Sequence, residues 1–212
     1  TGNKCLVDTF DRNFQFNVEH ISLAKLADIF LVAPASADVI GKIANGIADD
    51  MLTTTIMACK CPKLISPAMN TNMFTNPIVQ DNLKKLEHYG YEIIQPDSGY
   101  LACGDTGAGK MPSEQVLLNY ILRTIAKDKD MAGIKLTVTA GPTREKLDPV
   151  RFLSNNSTGK MGYAIAKMAM LRGADVTLIS GKVSLEPVPF VKMVDIVSAE
   201  DMYNAVIKSA KD

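Results

Sequence analysis

Three residues in the first half of the chain have side chains suited to catalysis. Cys103 lies in the glycine-rich run 99–112, where a flexible backbone can approach a ligand and bring a thiol to it. Asn70 can donate and accept hydrogen bonds at once, which suits a carboxylate or amide ligand. His20 is a candidate proton acceptor. The ordinary alternatives are a free surface cysteine, a turn asparagine and a structural histidine.

Two further segments have residues suited to binding anions. In the small-residue run 33–38, Ser36 or Asp38 can begin a helix whose N–H groups suit phosphate or the edge of a flavin ring. A plain N-cap explains the same residues. The run 154–162 places hydroxyls, glycine and Lys160 before a predicted helix, which favours an anion site over a capped helix with a solvated lysine.

One glycine-rich segment, 104–111, nearly matches a phosphate-binding loop. Met111 stands where that loop needs a Ser or Thr to ligate magnesium, so the pattern disfavours an NTPase.

Composition excludes several classes of function. Lys and Arg together number 23, as do Asp and Glu, so no basic excess is available for nucleic acid. No apolar run reaches the roughly 18 residues of a membrane span. Four irregularly spaced cysteines predict reduced thiols and a cytoplasmic location, and two histidines argue against a multi-histidine metal site. We therefore expect no nucleic-acid or membrane partner, and no metal site formed by the residues of this sequence.

The elements that would position these residues alternate between strand and helix. Apolar runs predict strands over 27–33, halted by Pro34, and over 63–66 and 91–94. Helical spacing covers 37–58, with a break near Gly46, then 76–89 and 113–126. The segment around Cys103 is predicted to be a loop. Ligands of open α/β sheets bind beyond the carboxyl ends of the strands, where the runs 33–38 and 67–74 fall.

After a charged linker, 127–130, the pattern begins again. Strands over 134–139 and 174–179 flank a helix over 159–172, a unit of Rossmann type, and a further helix is predicted over 199–210. We expect one domain over 1–127 and a second over 132–212. The first begins in mid-pattern and the second is thin, so both ends of a longer protein are expected to be missing.

Taken in order, the motifs resemble a known family of coenzyme A biosynthesis enzymes. They are 19–21, 33–38, 67–70 with Met73, 102–105, 140–145, 154–155 and 159–162. Together they are similar to bifunctional phosphopantothenoylcysteine decarboxylase/phosphopantothenate–cysteine ligase of bacteria. The resemblance implies an α/β fold: a doubly wound, flavodoxin-like parallel sheet of the flavin-dependent cysteine decarboxylase type, followed by an incomplete Rossmann-like ligase domain.

The resemblance also implies roles for individual residues. His20 is the catalytic base, Asn70 holds the substrate carboxylate and Cys103 is the proton donor. The residues that line FMN are Ser36, Ala37, Asp38, Val39 and Ala68. The clamp over the substrate consists of Tyr100, Leu101 and Ala102. In the ligase half, Asn155 belongs to the active site, and the phosphate contacts are Ser157, Gly159 and Lys160.

The implied reactions begin with FMN-dependent decarboxylation of 4′-phosphopantothenoylcysteine to 4′-phosphopantetheine. The ligase joins 4′-phosphopantothenate to cysteine with CTP and Mg²⁺. The implied assembly is a homo-oligomer with a trimer-based decarboxylase and a dimeric ligase.

Two residues depart from the family pattern: Phe74 stands where many relatives have tryptophan, and Asp38 where stand-alone flavin decarboxylases have asparagine. The early Gly-Ser flavin-phosphate loop and the later ligase region are absent from this sequence. Alternatives are a non-catalytic regulatory flavoprotein, which predicts erosion of His20, Asn70 and Cys103, and a peptidyl-cysteine decarboxylase, which leaves the second unit unexplained.

Overall fold

The computed structural model describes residues 19–100, 104 and 106–211. The chain divides into two compact units, Thr1–Ile121 and Leu122–Asp212. Among the described residues, no helix is both long enough and apolar enough to cross a bilayer.

The first unit is built on a three-stranded parallel sheet in the order β1-β2-β3. These strands are β1 (Phe30–Ala35), β2 (Lys63–Pro67) and β3 (Glu92–Ile93). The helices are α1 (Glu19–Leu26), α2 (Ala37–Ala44), α3 (Met51–Ala58), α4 (Thr71–Phe74), α5 (Pro77–His88) and α6 (Glu114–Ile125). A two-stranded antiparallel hairpin, β4 (Asp97–Tyr100) and β5 (Thr106–Lys110), precedes α6.

Both faces of this sheet are covered by apolar side chains. Val32 and Ile65 lie in one buried cluster with side chains of α2 and α5, such as Ile40. The neighbouring residues Leu31 and Leu64 lie in a second cluster with side chains of α6. Because successive residues of a strand point to opposite faces, this division places helices on both sides, as in a doubly wound sheet.

The broken helix predicted between β1 and β2 is present, but β1 does not end where the sequence predicts. The predicted break near Gly46 is confirmed, because α2 ends at Ala44 and α3 begins at Met51. Asp50 is the N-cap of α3, and its carboxylate accepts a hydrogen bond of 2.7 Å from the Thr53 N–H. The prediction that Pro34 halts the first strand is wrong. The register shifts between Val32 and Ala35, so the strand passes a residue that cannot donate to the ladder and pairs again at Ala35.

The second unit contains a parallel sheet in the order β10-β9-β6. Its elements are β6 (Lys135–Ala140), β7 (Arg144–Lys146), β8 (Phe152–Ser154), α7 (Lys160–Leu171), β9 (Asp175–Ser180), β10 (Lys192–Asp195) and α8 (Ala199–Ser209). Ala166, Ala169 and Met170 of α7 are buried in one cluster with Val138 of β6 and Leu178 of β9. The strand–helix–strand unit predicted from the sequence is confirmed. The β7–β8 hairpin and β10 were not predicted.

Candidate active site

The loops that follow β1 and β2 lie side by side at the carboxyl edge of the first sheet. Ala35 pairs with Pro67, and the Ala68 N–H donates a hydrogen bond of 3.0 Å to the Ala35 carbonyl. Ser36 caps α2, because its hydroxyl accepts a hydrogen bond of 3.3 Å from the Val39 N–H. The structure therefore brings together the five residues expected to line FMN, which are Ser36, Ala37, Asp38, Val39 and Ala68.

Lys42 balances the acidic charge next to this edge. Its ammonium lies 3.4 Å from a carboxylate oxygen of Asp38, 3.1 Å from Asp49 and 3.9 Å from Asp50. The hydrogen bond with Asp49 raises the pKa of Lys42 above its ordinary value. Asp38, an expected flavin-lining residue, thus has a cation beside it.

Asn70 has a structural task that fixes the orientation of its side chain. It is the N-cap of α4, and its Oδ1 accepts a hydrogen bond of 2.8 Å from the Asn72 N–H. The amide carbonyl therefore faces the protein's own backbone. The amide NH₂, at the opposite corner of the side chain, is the end suited to a carboxylate.

The β4–β5 hairpin packs its backbone against the Asn70 loop. The Met69 N–H donates a hydrogen bond of 3.0 Å to the Gly109 carbonyl. A Cβ at Gly109 would lie 2.2 Å from the Met69 carbonyl oxygen, and one at Gly107 would lie 2.4 Å from Thr71 Oγ1. Only glycine allows this approach, so the base of the hairpin is held next to Asn70.

Of the residues predicted to form the clamp and the proton donor, the structure describes Tyr100. Tyr100 is the last residue of β4 and is 72% exposed. Leu101, Ala102 and Cys103 follow it and lie outside the described residues. The sequence predicts a loop here; the described residues on either side of it form paired strands.

His20 lies in the first turn of α1 and is half-buried. Residues of α1, β1 and α3, which include Leu23, Phe30 and Leu52, line an apolar groove of about 640 Å³, and His20 is not among its lining residues.

In the second unit, a loop stabilised by its own side chains precedes α7. Asn155 Oδ1 accepts a hydrogen bond of 2.9 Å from the Ser157 N–H. Gly159 is the N-cap of α7, with a φ of 75°, and no side chain in the described part of the chain caps this helix. The predicted phosphate contacts Ser157, Gly159 and Lys160 line a cavity of about 260 Å³. The first N–H groups of a helix attract anions, so this cavity suits a phosphate group.

A neighbouring cavity of about 570 Å³ is lined by Lys160 and by two further cationic side chains. Its lining includes Arg144, Lys160 and Lys182, and no acidic residue among those described. Arg144 stacks on Phe152, with its guanidinium carbon 4.7 Å from the ring centre, and its buried Nε has no hydrogen-bond partner within the described ranges. No cationic role is predicted from the sequence for Arg144 or Lys182. Lys182 follows the strand predicted over 174–179, and a basic residue near the carboxyl end of a strand is the signal that could have identified it.

Comparisons with known proteins give two consecutive matches along the chain. The family model described as "Flavoprotein" matches residues 1–126. The model described as "DNA/pantothenate metabolism flavoprotein C-terminal domain" matches residues 131–212.

Two curated relatives are both named "Coenzyme A biosynthesis bifunctional protein CoaBC". The one from Bacillus subtilis is 47% identical over 203 residues, which cover 94% of this chain and 50% of the relative. The one from Haemophilus influenzae is 41% identical over 210 residues, which cover 99% of this chain and 52% of the relative. The chain thus spans about half the length of the curated relatives that it matches. These relatives confirm the resemblance predicted from the motifs.

A solved structure is similar to the first part of the chain. It is described as a mutant PPC decarboxylase complexed with pantothenoylaminoethenethiol, with 36% identity and a TM-score of 0.50 over 53% of this chain and 63% of that one. With the parallel, two-sided sheet described above, this similarity gives the first unit a flavodoxin-like α/β fold. The chain belongs to the flavoprotein family.

Proposed function

We propose that the protein containing this chain decarboxylates 4′-phosphopantothenoylcysteine with FMN during coenzyme A biosynthesis. The names of the curated relatives and the ligand of the similar decarboxylase structure support this choice of substrate. The observation that carries the proposal is the backbone contact between Gly109 and Met69, which holds the Cys103 hairpin beside the Asn70 loop. Cys103 lies in the sequence between the two strands of this hairpin, and its thiol is proposed to act next to the carboxylate-binding amide of Asn70.

The residues at the carboxyl edge of the first sheet fit FMN. Ala37 and Ala68 are small and half-buried, and the start of α2 offers N–H groups to an electron-rich ring edge or phosphate. FMN, when bound, supplies a reversible two-electron acceptor for the substrate thiol. Ser36 and Val39 complete the lining, and Lys42 offsets the charge of Asp38.

The catalytic roles proposed for this chain concern protons and orientation. His20 accepts the proton of the substrate thiol, and the Asn70 NH₂ holds the substrate carboxylate. Once the thiol carbon is oxidised to a thioaldehyde, the carboxylate lies β to an electron sink and CO₂ leaves. Cys103 then delivers a proton to the enethiolate carbon, and the two electrons taken from the thiol carbon would return to it as hydride from the bound cofactor, which gives the product thiol. Tyr100, Leu101 and Ala102 cover the substrate and exclude water during these steps.

We assign the second unit to the ligase reaction, with domains over 1–127 and 132–212. CTP with Mg²⁺ is the proposed co-substrate, and it activates the carboxylate of 4′-phosphopantothenate for attack by cysteine. Asn155 shapes the loop, while Ser157, Gly159 and Lys160 bind phosphate with help from Arg144 and Lys182. A cytoplasmic homo-oligomer, with a trimer-based decarboxylase and a dimeric ligase, completes the proposal.

The direct test uses the full-length purified protein. We expect a yellow protein with flavin absorbance that releases CO₂ from 4′-phosphopantothenoylcysteine. A matched reaction with a peptide ending in cysteine should release none. Absence of both flavin and turnover would refute the decarboxylase assignment, and turnover of the peptide would point to the peptidyl-cysteine alternative.

The anion cavity gives a separate prediction. Lys160→Ala in the full-length protein should raise the KM for CTP about tenfold, because a charge-assisted contact to phosphate is removed. Lys167→Ala is the control, since Lys167 is an exposed lysine of the same helix and lines neither described cavity. Ligase kinetics with CTP as the varied substrate provide the measurement. Equal losses in the two variants would show that only overall charge matters.

A further inference from the structure

A polar connection beneath the anion cavity joins the start of α7 to the end of β9. The Tyr163 hydroxyl donates a hydrogen bond of 3.2 Å to Ser180 Oγ. The Ser180 hydroxyl in turn donates one of 2.8 Å to the Gly181 carbonyl. Ser180 is only 1% exposed, and a buried hydroxyl costs free energy unless it is hydrogen-bonded. The connection therefore has one defined direction, from the tyrosine to the backbone carbonyl.

The carbonyl at the end of this connection belongs to a tightly packed loop. The Gly181 N–H donates a hydrogen bond of 3.0 Å to the Ala140 carbonyl. A Cβ at Gly181 would lie 1.8 Å from the Pro142 carbonyl oxygen, so the loops after β6 and β9 touch through their backbones. A small displacement of Gly181 would therefore move the residue that follows it, Lys182.

Tyr163 is also fixed to the other wall of the cavity. Its N–H donates a hydrogen bond of 3.1 Å to the carbonyl of Gly159, the N-cap of α7. The preceding residue, Gly162, packs directly on β6, because a Cβ there would lie 2.6 Å from Ala140 Cβ. One side chain thus links the helix start that carries Lys160 to the loop that carries Lys182.

We propose that Tyr163 is a positioning residue that holds Lys160 and Lys182 at the spacing needed to bind a polyphosphate. Both lysines line the same cavity, and both side chains are exposed. Their backbones are held in place by the close contacts of the neighbouring residues Gly162 and Gly181. Tyr163 does not line either cavity and does not touch the anion. Its hydroxyl acts through Ser180 and Gly181. This inference rests on the proposed binding of CTP phosphates by the second unit.

The test compares Tyr163→Phe with the unsubstituted full-length protein. Loss of one hydrogen bond in the connection should raise the Kd for inorganic triphosphate and the KM for CTP about threefold to tenfold. The kcat and the KM for cysteine should change less than twofold, because no reacting group is altered. Tyr203→Phe is the control, because Tyr203 lies on α8 and is 64% exposed.

A double-mutant cycle separates positioning from general structural support. Ser180→Ala should weaken triphosphate binding similarly, and the double variant should be no worse than either single variant, because both act through one connection. Additive losses, or a lower melting temperature with unchanged triphosphate affinity, would overturn the positioning role. If the unsubstituted protein does not bind triphosphate, the cavity assignment fails and the positioning role fails with it. Equal binding by Tyr163→Phe overturns the positioning role alone.

Discussion

Asn70→Asp is expected to reduce decarboxylation by several hundredfold without unfolding the protein. Aspartate keeps an oxygen that can accept the 2.8 Å hydrogen bond from the Asn72 N–H, so the cap of α4 is preserved. It replaces the amide donor with negative charge facing the substrate carboxylate. Two like charges about 4 Å apart near a protein surface repel by about 4 kcal/mol, which corresponds to a rate loss on the order of several hundredfold.

The chain offers a closely matched control for this substitution. Asn76 is also an N-cap, and its Oδ1 accepts a hydrogen bond of 2.9 Å from the Ile78 N–H at the start of α5. Asn76→Asp makes the same chemical change at an exposed helix start and should leave CO₂ release unchanged. Rates of CO₂ release and circular dichroism should be measured for both variants. Similar activities in the two variants would remove Asn70 from carboxylate binding.

Gly109→Ala is expected to detach the hairpin from the Asn70 loop and abolish decarboxylation. The added Cβ would lie 2.2 Å from the Met69 carbonyl oxygen, which belongs to the backbone and cannot rotate away. The φ of Gly109 is 128°, a conformation that side chains disfavour. Overlap and strain together amount to about 2–4 kcal/mol, and this cost acts directly on the contact between Gly109 and Met69.

The matched control for this variant lies in the same hairpin. A Cβ at Gly99 would meet only the flexible Lys110 side chain, at 3.6 Å, so Gly99→Ala should keep its activity. Amide hydrogen exchange at Met69 reports the detachment directly, because its N–H donates to the Gly109 carbonyl. Wild-type protection of that amide in Gly109→Ala, together with full CO₂ release, would show that the hairpin contact is dispensable.

Sequence patterns located the sheets of both units because their strands are continuous apolar runs. The runs around Leu31, Ile65 and Leu178 each became a buried strand, and Ser36 became the N-cap that its position suggested. These features are set by local composition and by burial of apolar side chains, both of which can be derived from the order of residues.

The hairpins could not be derived in the same way. The segment Thr106–Lys110 is rich in glycine, a residue depleted from strands, and its pairing depends on contact with Met69 and Thr71, far away in sequence. The second hairpin, β7–β8, consists of three-residue strands, too short to show alternation. The cation group of the second unit was missed for a related reason: Arg144 and Lys182 meet only after the chain has folded.

The start of α7 carries an electrostatic cost that a bound anion would lower. Its first N–H groups lack a side-chain acceptor among the described residues, and Lys160, Lys182 and Arg144 bring like charges to one cavity. Polyphosphate bound as proposed would relieve both costs and would link ligand binding to folding. A ligand at about a hundred times its Kd adds about 2.7 kcal/mol to the free energy of unfolding. The supply of nucleotide would then help set how much of the second unit is folded, and hence how long it survives proteolysis.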